Sequence, residues 1–254
     1  MINNRQQKII LLLEQKGEVQ LQQLVELFPE VSAMTLRRDL ISLENSGHLV
    51  RTYGGAVSSK KVLEITGEED EFSRRSSKNV DAKLKIAEKA VSLVEAGRSM
   101  YFDAGSTIMC LAKILPDERF SIFTSGANTS LELIKKSSIS VITVGGLVNR
   151  NTLSMSGPSA VSLIDTINID LAFMSASGFS LESGFTVANL YECELKRKVI
   201  ERAHKIIMLM DSSKINKNLA FTYTTLKNID IWVCESKLPD EIVEQAKNNN
   251  VEVI

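Results

Sequence analysis

Two adjacent arginines, Arg37 and Arg38, lie in a stretch whose spacing predicts a helix with one apolar face. At about 100° per residue, Leu36, Leu40 and Leu43 form a single stripe that must pack inward. Arg38 then points to the opposite side, where a guanidinium near a helix N-terminus can bind guanine O6 and N7 in the major groove. The alternative interpretation is a solvated pair of charges on an ordinary helix.

The elements around these arginines favour DNA binding. Apolar periodicity predicts short helices at 5–16, 21–28 and 32–46, the third beginning after the N-cap residue Ser32. Extended pieces at 48–53 and 56–58 flank Gly54-Gly55, which is a hairpin signal. Three helices and a hairpin predict a winged helix-turn-helix. The residues predicted to contact DNA are Ser32, Met34, Thr35, Arg37, Arg38 and Ser42 on the third helix, and Arg51 and Tyr53 in the wing.

These DNA contacts divide by chemistry. Thr35 and Arg37 are suited to phosphates, which fix the position of a protein on DNA without reading its sequence. Asp39 lies beside the leucine stripe and would repel phosphate. We therefore expect Asp39 to orient a neighbouring arginine.

A second group of polar residues recurs at the predicted ends of successive strands. Asp103-Ala104-Gly105-Ser106-Thr107 lies between a strand and a helix, where glycine lets the backbone approach a ligand and hydroxyls join helix N–H groups in an anion site. One such segment is more often a helix cap, but several at successive strand ends predict one binding crevice. The residues predicted to bind a ligand in this crevice are Asp103, Gly105, Ser106, Thr107, Thr124, Ser125, Gly145, Gly146, Ser177, Gly178 and Lys214.

The elements that position this crevice alternate between strand and helix. Strands are expected at 99–103, 121–124, 141–144, 169–175, 206–211 and 231–234, and helices at 81–95, 107–115, 128–135, 159–166, 190–203 and 240–248. This order predicts βαβ units and a mainly parallel sheet, in which ligands bind at the carboxyl ends of the strands. The predicted fold has two domains: an all-α winged helix-turn-helix at 1–58 and an α/β effector-sensing domain at 81–254, joined by a charged linker at 59–80.

The predicted helix at 190–203 carries many charges. Glu192, Glu194, Lys196, Arg197 and Lys198 follow one another closely. We interpret them mostly as a solvated face, with Lys196 approaching the crevice.

Composition excludes several classes of protein. The formal net charge of −1 places any DNA-binding surface in a local arginine cluster. Cys110, Cys193 and Cys234 lack the paired spacing of a disulfide framework or a zinc site, so we expect reduced thiols, no metal and no cofactor. No run approaches the roughly 18 apolar residues that span a bilayer. We expect a cytoplasmic protein with no membrane partner.

The segments Val31-Ser32-Ala33-Met34-Thr35-Leu36-Arg37-Arg38-Asp39-Leu40 and Arg51-Thr52-Tyr53-Gly54-Gly55-Ala56 resemble the recognition helix and wing of the DeoR family of repressors. The resemblance continues into the second domain. One departure is Phe28-Pro29-Glu30-Val31, where many members have a shorter turn. The resemblance implies a sensor domain similar in fold to ribose-5-phosphate isomerase and a phosphorylated sugar as effector.

A sugar-phosphate isomerase with an accessory DNA-binding module is the main alternative. An aldose–ketose isomerase needs a carboxylate base beside the substrate carbons. Related isomerases have acidic residues after a strand and then a Lys-Gly-Gly segment, where this sequence has Ser175-Ala176-Ser177 and Ser183-Gly184-Phe185-Thr186. We therefore expect no catalysis. A nucleotide-binding enzyme is a further alternative, but the sequence has neither a GxxxxGK[ST] loop nor a GxGxxG fingerprint.

The hypothesis that follows is a repressor of a carbohydrate-metabolism operon. A homodimer or homotetramer would place its recognition helices in adjacent major grooves of double-stranded operator DNA. A phosphorylated sugar would change the affinity for DNA by binding the two states of the protein unequally.

Overall fold

The computed structural model describes residues 3–46, 48–52, 54–58 and 71–254. The chain divides into two units, Met1–Glu68 and Glu69–Ile254. The predicted wing residue Tyr53 and most of the predicted linker, residues 59–70, lie outside the described residues.

The described part of the first unit contains three helices and a small antiparallel sheet. These are α1 (Asn4–Lys16), β1 (Glu18–Gln20), α2 (Leu21–Leu27), α3 (Ala33–Asn45), β2 (Leu49–Arg51) and β3 (Gly55–Ser58). Helix α1 begins at a capping box formed by Asn3 and Gln6, and it ends at Gly17 in the left-handed conformation. The core of the first unit contains Ile9, Leu13, Leu24, Leu36, Leu40, Leu43 and Leu49, all nearly free of solvent contact.

Strand β1 was not predicted from the sequence. The sheet order is β1-β3-β2, so β3 pairs with β1 as well as with its hairpin partner. Gly55 makes this close pairing possible, because a Cβ at this position would lie 2.0 Å from the carbonyl oxygen of Val19. The Gly54-Gly55 pair is therefore needed for packing as well as for the turn.

The second unit is built on a seven-stranded sheet in which every pairing is parallel. In chain order its elements are α4 (Phe72–Ser77), α5 (Val80–Val91), β4 (Ser99–Phe102), α6 (Ser106–Ile114), β5 (Phe120–Thr124), α7 (Ala127–Leu133), β6 (Ile139–Thr143), β7 (Leu147–Val148), β8 (Met155–Ser156), α8 (Pro158–Asp165), β9 (Ile169–Ser175), β10 (Gly178–Ser180), β11 (Gly184–Val187), α9 (Leu190–Arg202), β12 (Ala203–Leu209), β13 (Phe221–Thr224), β14 (Ile231–Val233), α10 (Asp240–Asn248) and β15 (Glu252–Val253).

Apolar side chains alternate across this sheet and form a core on each face. Tyr101, Ala172 and Met208 belong to one buried cluster, whereas their neighbours Phe102 and Phe173 belong to the other. Because helices cover both faces, the central strands are apolar along almost their whole length. Helices and parallel strands alternate as predicted, with boundaries that differ by up to four residues, but the short edge strand β15 was not predicted.

Several elements differ from the sequence-based expectation. Helix α5 ends at Val91 instead of residue 95, and residues 203–205 extend strand β12 at its start. A small antiparallel sheet, β10-β11-β13, was not predicted. Helix α4 lies within the region predicted to be a solvated linker, yet it packs against α6.

The order of the parallel strands creates a topological switch point. The sheet order is β15-β14-β12-β9-β4-β5-β6, so the chain leaves β4 toward β5 but leaves β9 toward β12. The connections after these two neighbouring strands therefore diverge, which opens a crevice at their carboxyl ends. Asp103 and Ser175 stand at that point. Within the described residues, no helix is both long and apolar enough to cross a membrane.

Candidate functional site

The exposed face of α3 carries most of the predicted DNA contacts. Met34 is 60% exposed, and the side chains of Arg37, Arg38 and Ser42 are exposed as well. The opposite face is buried in the core through its leucines. The helix therefore presents both guanidinium groups to solvent, which is the arrangement that a major groove requires.

Ser32 and Thr35 form the cap that starts this helix. The Ser32 hydroxyl accepts a hydrogen bond from the Thr35 backbone N–H at 3.2 Å and bonds the Thr35 hydroxyl at 3.0 Å. This cap fixes the beginning of α3. Both residues were predicted to contact DNA, and the structure gives their side chains this local role in the free protein.

Asp39 holds the recognition helix against the first helix. Its carboxylate accepts hydrogen bonds from Arg5 Nε at 2.6 Å and from Gln6 Nε2 at 3.0 Å. The Asp39 hydrogen bond raises the pKa of Arg5. The arginine that Asp39 orients is therefore Arg5 of α1, and the carboxylate is buried away from the face that presents Arg37 and Arg38.

The wing arginine is already engaged in the free protein. Arg51 Nε lies 2.6 Å from a carboxylate oxygen of Glu44, and the Arg51 backbone N–H donates to the same carboxylate at 3.0 Å. These bonds, the backbone one first, lower the pKa of Glu44. Arg51 is exposed, so it can reach DNA only together with this carboxylate or after leaving it.

In the second unit, the carboxyl end of β4 begins the candidate effector site. Gly105 precedes α6 with φ +144°, and no side chain caps the first turn of this helix. Ser106 and Thr107 are buried, and the Thr107 hydroxyl has no hydrogen-bond partner among the described residues. An uncapped helix N-terminus beside a buried, unpartnered hydroxyl is suited to binding an anion.

Asp103 is bound from two directions. It accepts hydrogen bonds from the Ser175 backbone N–H and from the Ser175 hydroxyl, each at 2.9 Å. It also forms an ion pair with Lys196, which reaches the site from helix α9 and donates to the Ser175 carbonyl oxygen at 3.1 Å. The two ends of the switch point are thus joined through one buried carboxylate.

Glu192 reaches the same region one turn earlier on α9. It is buried, and it accepts hydrogen bonds from the hydroxyls of Thr152 and Ser154. The loop that carries these hydroxyls is tied to the end of β5, because the Met155 N–H donates to the Ser125 carbonyl oxygen at 2.6 Å. The predicted residue Ser125 is therefore close to the carboxylate of Glu192, which was not among the predicted site residues.

The interpretation of residues 192–198 as mostly a solvated face was wrong for Glu192, whereas Lys196, which was expected to approach the crevice, contacts Asp103 and Ser175. On α9 the buried positions include 192, 195, 196 and 199, which is the spacing of one helix face. Two charged residues at apolar positions of that pattern were the signal available in the sequence. The stretch Ser175-Ala176-Ser177 has no acid, as noted, but Glu192 supplies a carboxylate from elsewhere.

Lys214 completes the cluster on the far side of β9. Its ammonium donates to the Ala176 carbonyl oxygen at 2.7 Å and lies 3.9 Å from Asp211 Oδ2. Lys214 therefore stands at the carboxyl end of β9, as Asp103 does. The structure brings together Asp103, Gly105, Ser106, Thr107, Lys214 and Lys196 around the ends of β4 and β9.

Other predicted effector residues have structural roles in the free protein. The Thr124 hydroxyl accepts the Gly126 N–H at 3.0 Å, which shapes the turn after β5. A Cβ on Gly146 would lie 2.4 Å from the Ser156 carbonyl oxygen, and one on Gly178 would lie 2.3 Å from that of Lys217. Close backbone packing accounts for both glycines.

Gly145 and Ser177 complete the predicted set. Gly145 has φ +69° with open space around its α-carbon, so it is accessible at the end of β6. The Ser177 backbone N–H donates to Thr186 and joins the end of β9 to the small antiparallel sheet.

An open groove of about 450 Å³ lies at the amino end of strand β12, away from the carboxyl ends that form the candidate site. Its lining includes Arg197, His204, Lys227 and Asp230. None of the residues predicted to bind an effector lines it. Within the described residues, no group of three or more side chains is arranged to hold a metal ion.

A winged helix-turn-helix followed by an α/β sensor domain defines a DNA-binding transcription regulator. Residues 5–62 match the family model of the DeoR-like helix-turn-helix domain, and residues 78–236 match that of the DeoR C-terminal sensor domain. The chain belongs to the DeoR family.

Individual relatives are similar along nearly the whole chain. The HTH-type transcriptional regulator GolR of Listeria innocua is 36% identical over 250 residues, covering 98% of this chain and 96% of the relative. The L-fucose operon activator of Haemophilus influenzae is 30% identical, with 98% of each chain covered. Since such relatives are regulators, this chain is a regulator and not an enzyme.

Among solved structures, ribose 5-phosphate isomerase A of Methanocaldococcus jannaschii shares 20% identity with this chain. The match covers 54% of this chain and 55% of the isomerase, with a TM-score of 0.40. A likeness of this degree says nothing about activity.

Proposed function

We propose that this protein is an oligomeric repressor of a carbohydrate-metabolism operon and that a phosphorylated sugar controls its affinity for DNA. The observation that carries the proposal is the buried Asp103–Lys196 pair at the switch point, beside the uncapped N-terminus of α6. Carboxylates bind sugar hydroxyls, and ammonium groups with helix N–H groups bind phosphate. The crevice thus offers both kinds of partner to one small molecule.

The residues divide between the two ends of such a ligand. Lys214 and the first turn of α6, including Gly105, Ser106 and Thr107, would bind the phosphate. Asp103 and Glu192 would accept hydrogen bonds from sugar hydroxyls, while Lys196 holds the Asp103 carboxylate in place.

The DNA end of the proposal rests on the exposed face of α3. Met34, Arg37, Arg38 and Ser42 would enter the major groove, and the Ser32–Thr35 cap would approach a phosphate at the helix N-terminus. Arg51 would contact the backbone from the wing. A two-fold oligomer would repeat these contacts on two half-sites, which sedimentation equilibrium of the full chain and of its DNA complex would test.

The effector is tested by thermal shift of the full chain against a panel of sugar phosphates, each paired with its unphosphorylated sugar. A ligand specific for the folded state stabilises it by about 2.7 kcal/mol at one hundred times its Kd. We expect at least one phosphorylated sugar to raise Tm while its parent sugar does not.

Lys214→Met and the control Lys237→Met sharpen this test, since the Lys237 side chain is 80% exposed. Lys214→Met should weaken binding of the phosphorylated sugar about tenfold or more, the effect of one charged hydrogen bond, whereas the control should not. If every phosphorylated sugar behaves like its parent, the proposed effector class is wrong. Once a sugar phosphate that binds is found, DNA selected by the protein from a random pool is used to test whether that sugar phosphate releases the protein from DNA, as expected for an inducer.

A further inference from the structure

The first residues of the sensor unit are fastened to it at both ends. At one end the Phe72 backbone N–H donates to the Asn151 carbonyl oxygen at 2.6 Å. At the other end the Asn79 side-chain amide donates to Ser213 Oγ at 2.8 Å and to Asp211 Oδ1 at 3.3 Å. Helix α4 lies between these anchors and packs against α6, the helix whose N-terminus forms part of the candidate effector site.

The buried Lys83 side chain also holds residues 72–79 in place. Lys83 is only 3% exposed, and its ammonium donates to the carbonyl oxygens of Arg75 and Lys78 at the end of α4. Burial lowers the pKa of Lys83, and the nearby Asp211 carboxylate opposes this effect. The ammonium is therefore held among backbone carbonyls, close to the loop that follows β12.

Asp211 contacts both this segment, through Asn79, and the crevice, through Lys214. Its side chain is 2% exposed and is contacted by Lys214, Ser213 and Asn79. Lys214 is the cation that the crevice offers to a ligand. A negative ligand at Lys214 and the docking of residues 71–83 thus depend on the same small group of charges.

We propose that residues 71–83 form a clamp that sets the length of chain between the sensor unit and the DNA-binding unit. Docked, the clamp holds Phe72 on the sensor surface. Released, it would add about a dozen residues to the connection, up to roughly 40 Å when extended. Lys214 contacts Asp211, and Asp211 accepts a hydrogen bond from Asn79, so a ligand bound at Lys214 alters docking. This inference rests on the proposed function, since it requires an oligomer that binds two half-sites.

The length of the connection matters because the second half-site is bound intramolecularly. Beyond the length that spans both half-sites, effective concentration falls roughly as the −3/2 power of the connecting length, so doubling that length lowers it about threefold. Binding to a single half-site does not involve the second DNA-binding unit and should not change. The docked clamp is therefore the form with the higher operator affinity.

Asn79→Gly is the variant that tests the clamp. Asn79 has φ +51°, which glycine adopts without strain, so the substitution removes the side-chain amide and leaves the backbone intact. Asn250→Gly is the matched control, because Asn250 has φ +59° and lies near the end of the chain. Lys83→Met is a second variant that removes the other anchor.

Two measurements on the full chain decide the matter. Hydrogen exchange of the amides at 72–83 should accelerate roughly fivefold in Asn79→Gly, the equilibrium factor for one hydrogen bond, and should be unchanged in Asn250→Gly. Affinity for a two-half-site DNA, selected from a random pool by the wild-type protein, should fall in Asn79→Gly, by less than the threefold that complete release of the clamp would give. Affinity for one half-site should stay the same.

Any different outcome of these measurements contradicts a specific part of the clamp proposal. Unchanged exchange at 72–83 in both Asn79→Gly and Lys83→Met would show that these residues do not hold the clamp. Faster exchange with unchanged two-half-site affinity would show that docking does not govern DNA binding. Equal loss on single half-sites would place the effect in the DNA-binding unit instead. A wild-type protein that selects no DNA would overturn the proposed function itself.

Discussion

The ammonium of Lys196 lies between the carboxylate of Asp103 and the carbonyl oxygen of Ser175, with both charged side chains almost fully excluded from solvent. Lys196 belongs to α9 and Asp103 follows β4, so the pair joins a covering helix to the centre of the sheet. Lys196 also lies 5.3 Å from the centre of the Tyr223 ring, which favours a cation at this position. The crevice is therefore organised before any ligand binds.

Lys196→Met should destabilise the sensor unit strongly. The substitution leaves the buried Asp103 carboxylate with the two Ser175 donors but no countercharge, and breaking a buried pair from one side costs about 3–5 kcal/mol. Trp232, the one tryptophan in the sequence, is buried in this unit, so urea unfolding followed by its fluorescence reports on the sensor alone.

Two further variants make this prediction specific. Lys227→Met removes an exposed lysine and should change the unfolding free energy by less than about 0.5 kcal/mol. Asp103→Leu combined with Lys196→Met removes both charges and should recover much of the loss. A double variant as unstable as Lys196→Met would mean that packing, and not the unpaired charge, causes the destabilisation.

Sequence patterns predicted six of the seven strands of the parallel sheet, because those six contain runs of apolar residues, but missed the two-residue strand β15. Ile169–Ser175 and Asp240–Asn248 were predicted with the bounds that the structure shows. Strand Glu18–Gln20 has three residues and a distant partner, so neither periodicity nor turn residues indicate it. Phe221–Thr224 pairs with β11 across a long separation in sequence; its aromatic and β-branched residues favour a strand, and this local signal was missed.

The candidate site divides along the same line. Asp103 and the first turn of α6 were predictable because a strand-to-helix junction rich in Gly, Ser and Thr is a local signal. Lys196 and Glu192 lie in a charged stretch, and only their position on the buried face of α9 distinguishes them. The clamp contacts of Asn79 and Lys83 depend on tertiary packing that no local pattern encodes.

Arg38→Ala and Arg37→Ala should weaken DNA binding in different ways. If Arg38 binds a guanine edge, its loss costs about 1–3 kcal/mol on the selected operator and relaxes preference at one base position. If Arg37 contacts phosphate, its loss weakens binding to all sequences and lowers the salt dependence of log K by about one.

Titration of selected and scrambled DNA at several salt concentrations separates these two outcomes. Lys16→Ala at the end of α1 serves as a control for loss of one exposed charge. Identical losses on selected and scrambled DNA for Arg38→Ala would contradict a base contact. Sugar-phosphate binding by the sensor should be unaffected in both arginine variants.

Glu44→Gln should strengthen binding to DNA. The Glu44 carboxylate accepts hydrogen bonds from the side chain and the backbone N–H of Arg51. The negative charge of Glu44 therefore accompanies Arg51 to the DNA surface. Glutamine keeps an acceptor while removing that charge. We expect a few-fold tighter binding at low salt and a steeper dependence on salt, by up to about one unit of slope. Glu14→Gln, at an exposed position of α1, should have no such effect. An unchanged slope would mean that Arg51 does not contact phosphate.

The stability of the sensor unit should depend on the ionisation of Asp211. Burial raises the pKa of this carboxyl, but the Lys214 charge and hydrogen bonds from Ser213 and Asn79 outweigh burial and lower it below its ordinary value. A carboxyl with a lowered folded-state pKa contributes stability above its unfolded pKa, near about 3.9, and loses that contribution as the pH falls through the folded value. The contribution is therefore complete above about pH 5 and declines below about pH 4.

Asp211→Asn isolates this contribution, because effects of all other carboxylates cancel when the variant is compared with the wild type at each pH. At neutral pH the variant should lose about 1–3 kcal/mol of unfolding free energy, since a buried hydrogen-bonded charge is removed. The difference from the wild type, measured by Trp232 fluorescence in urea, should shrink between about pH 4 and pH 3. Glu182→Gln, at an exposed carboxylate, should show no difference at either pH. A gap that stays constant down to pH 3 would mean that the shape of the side chain, and not its charge, stabilises the loop after β12.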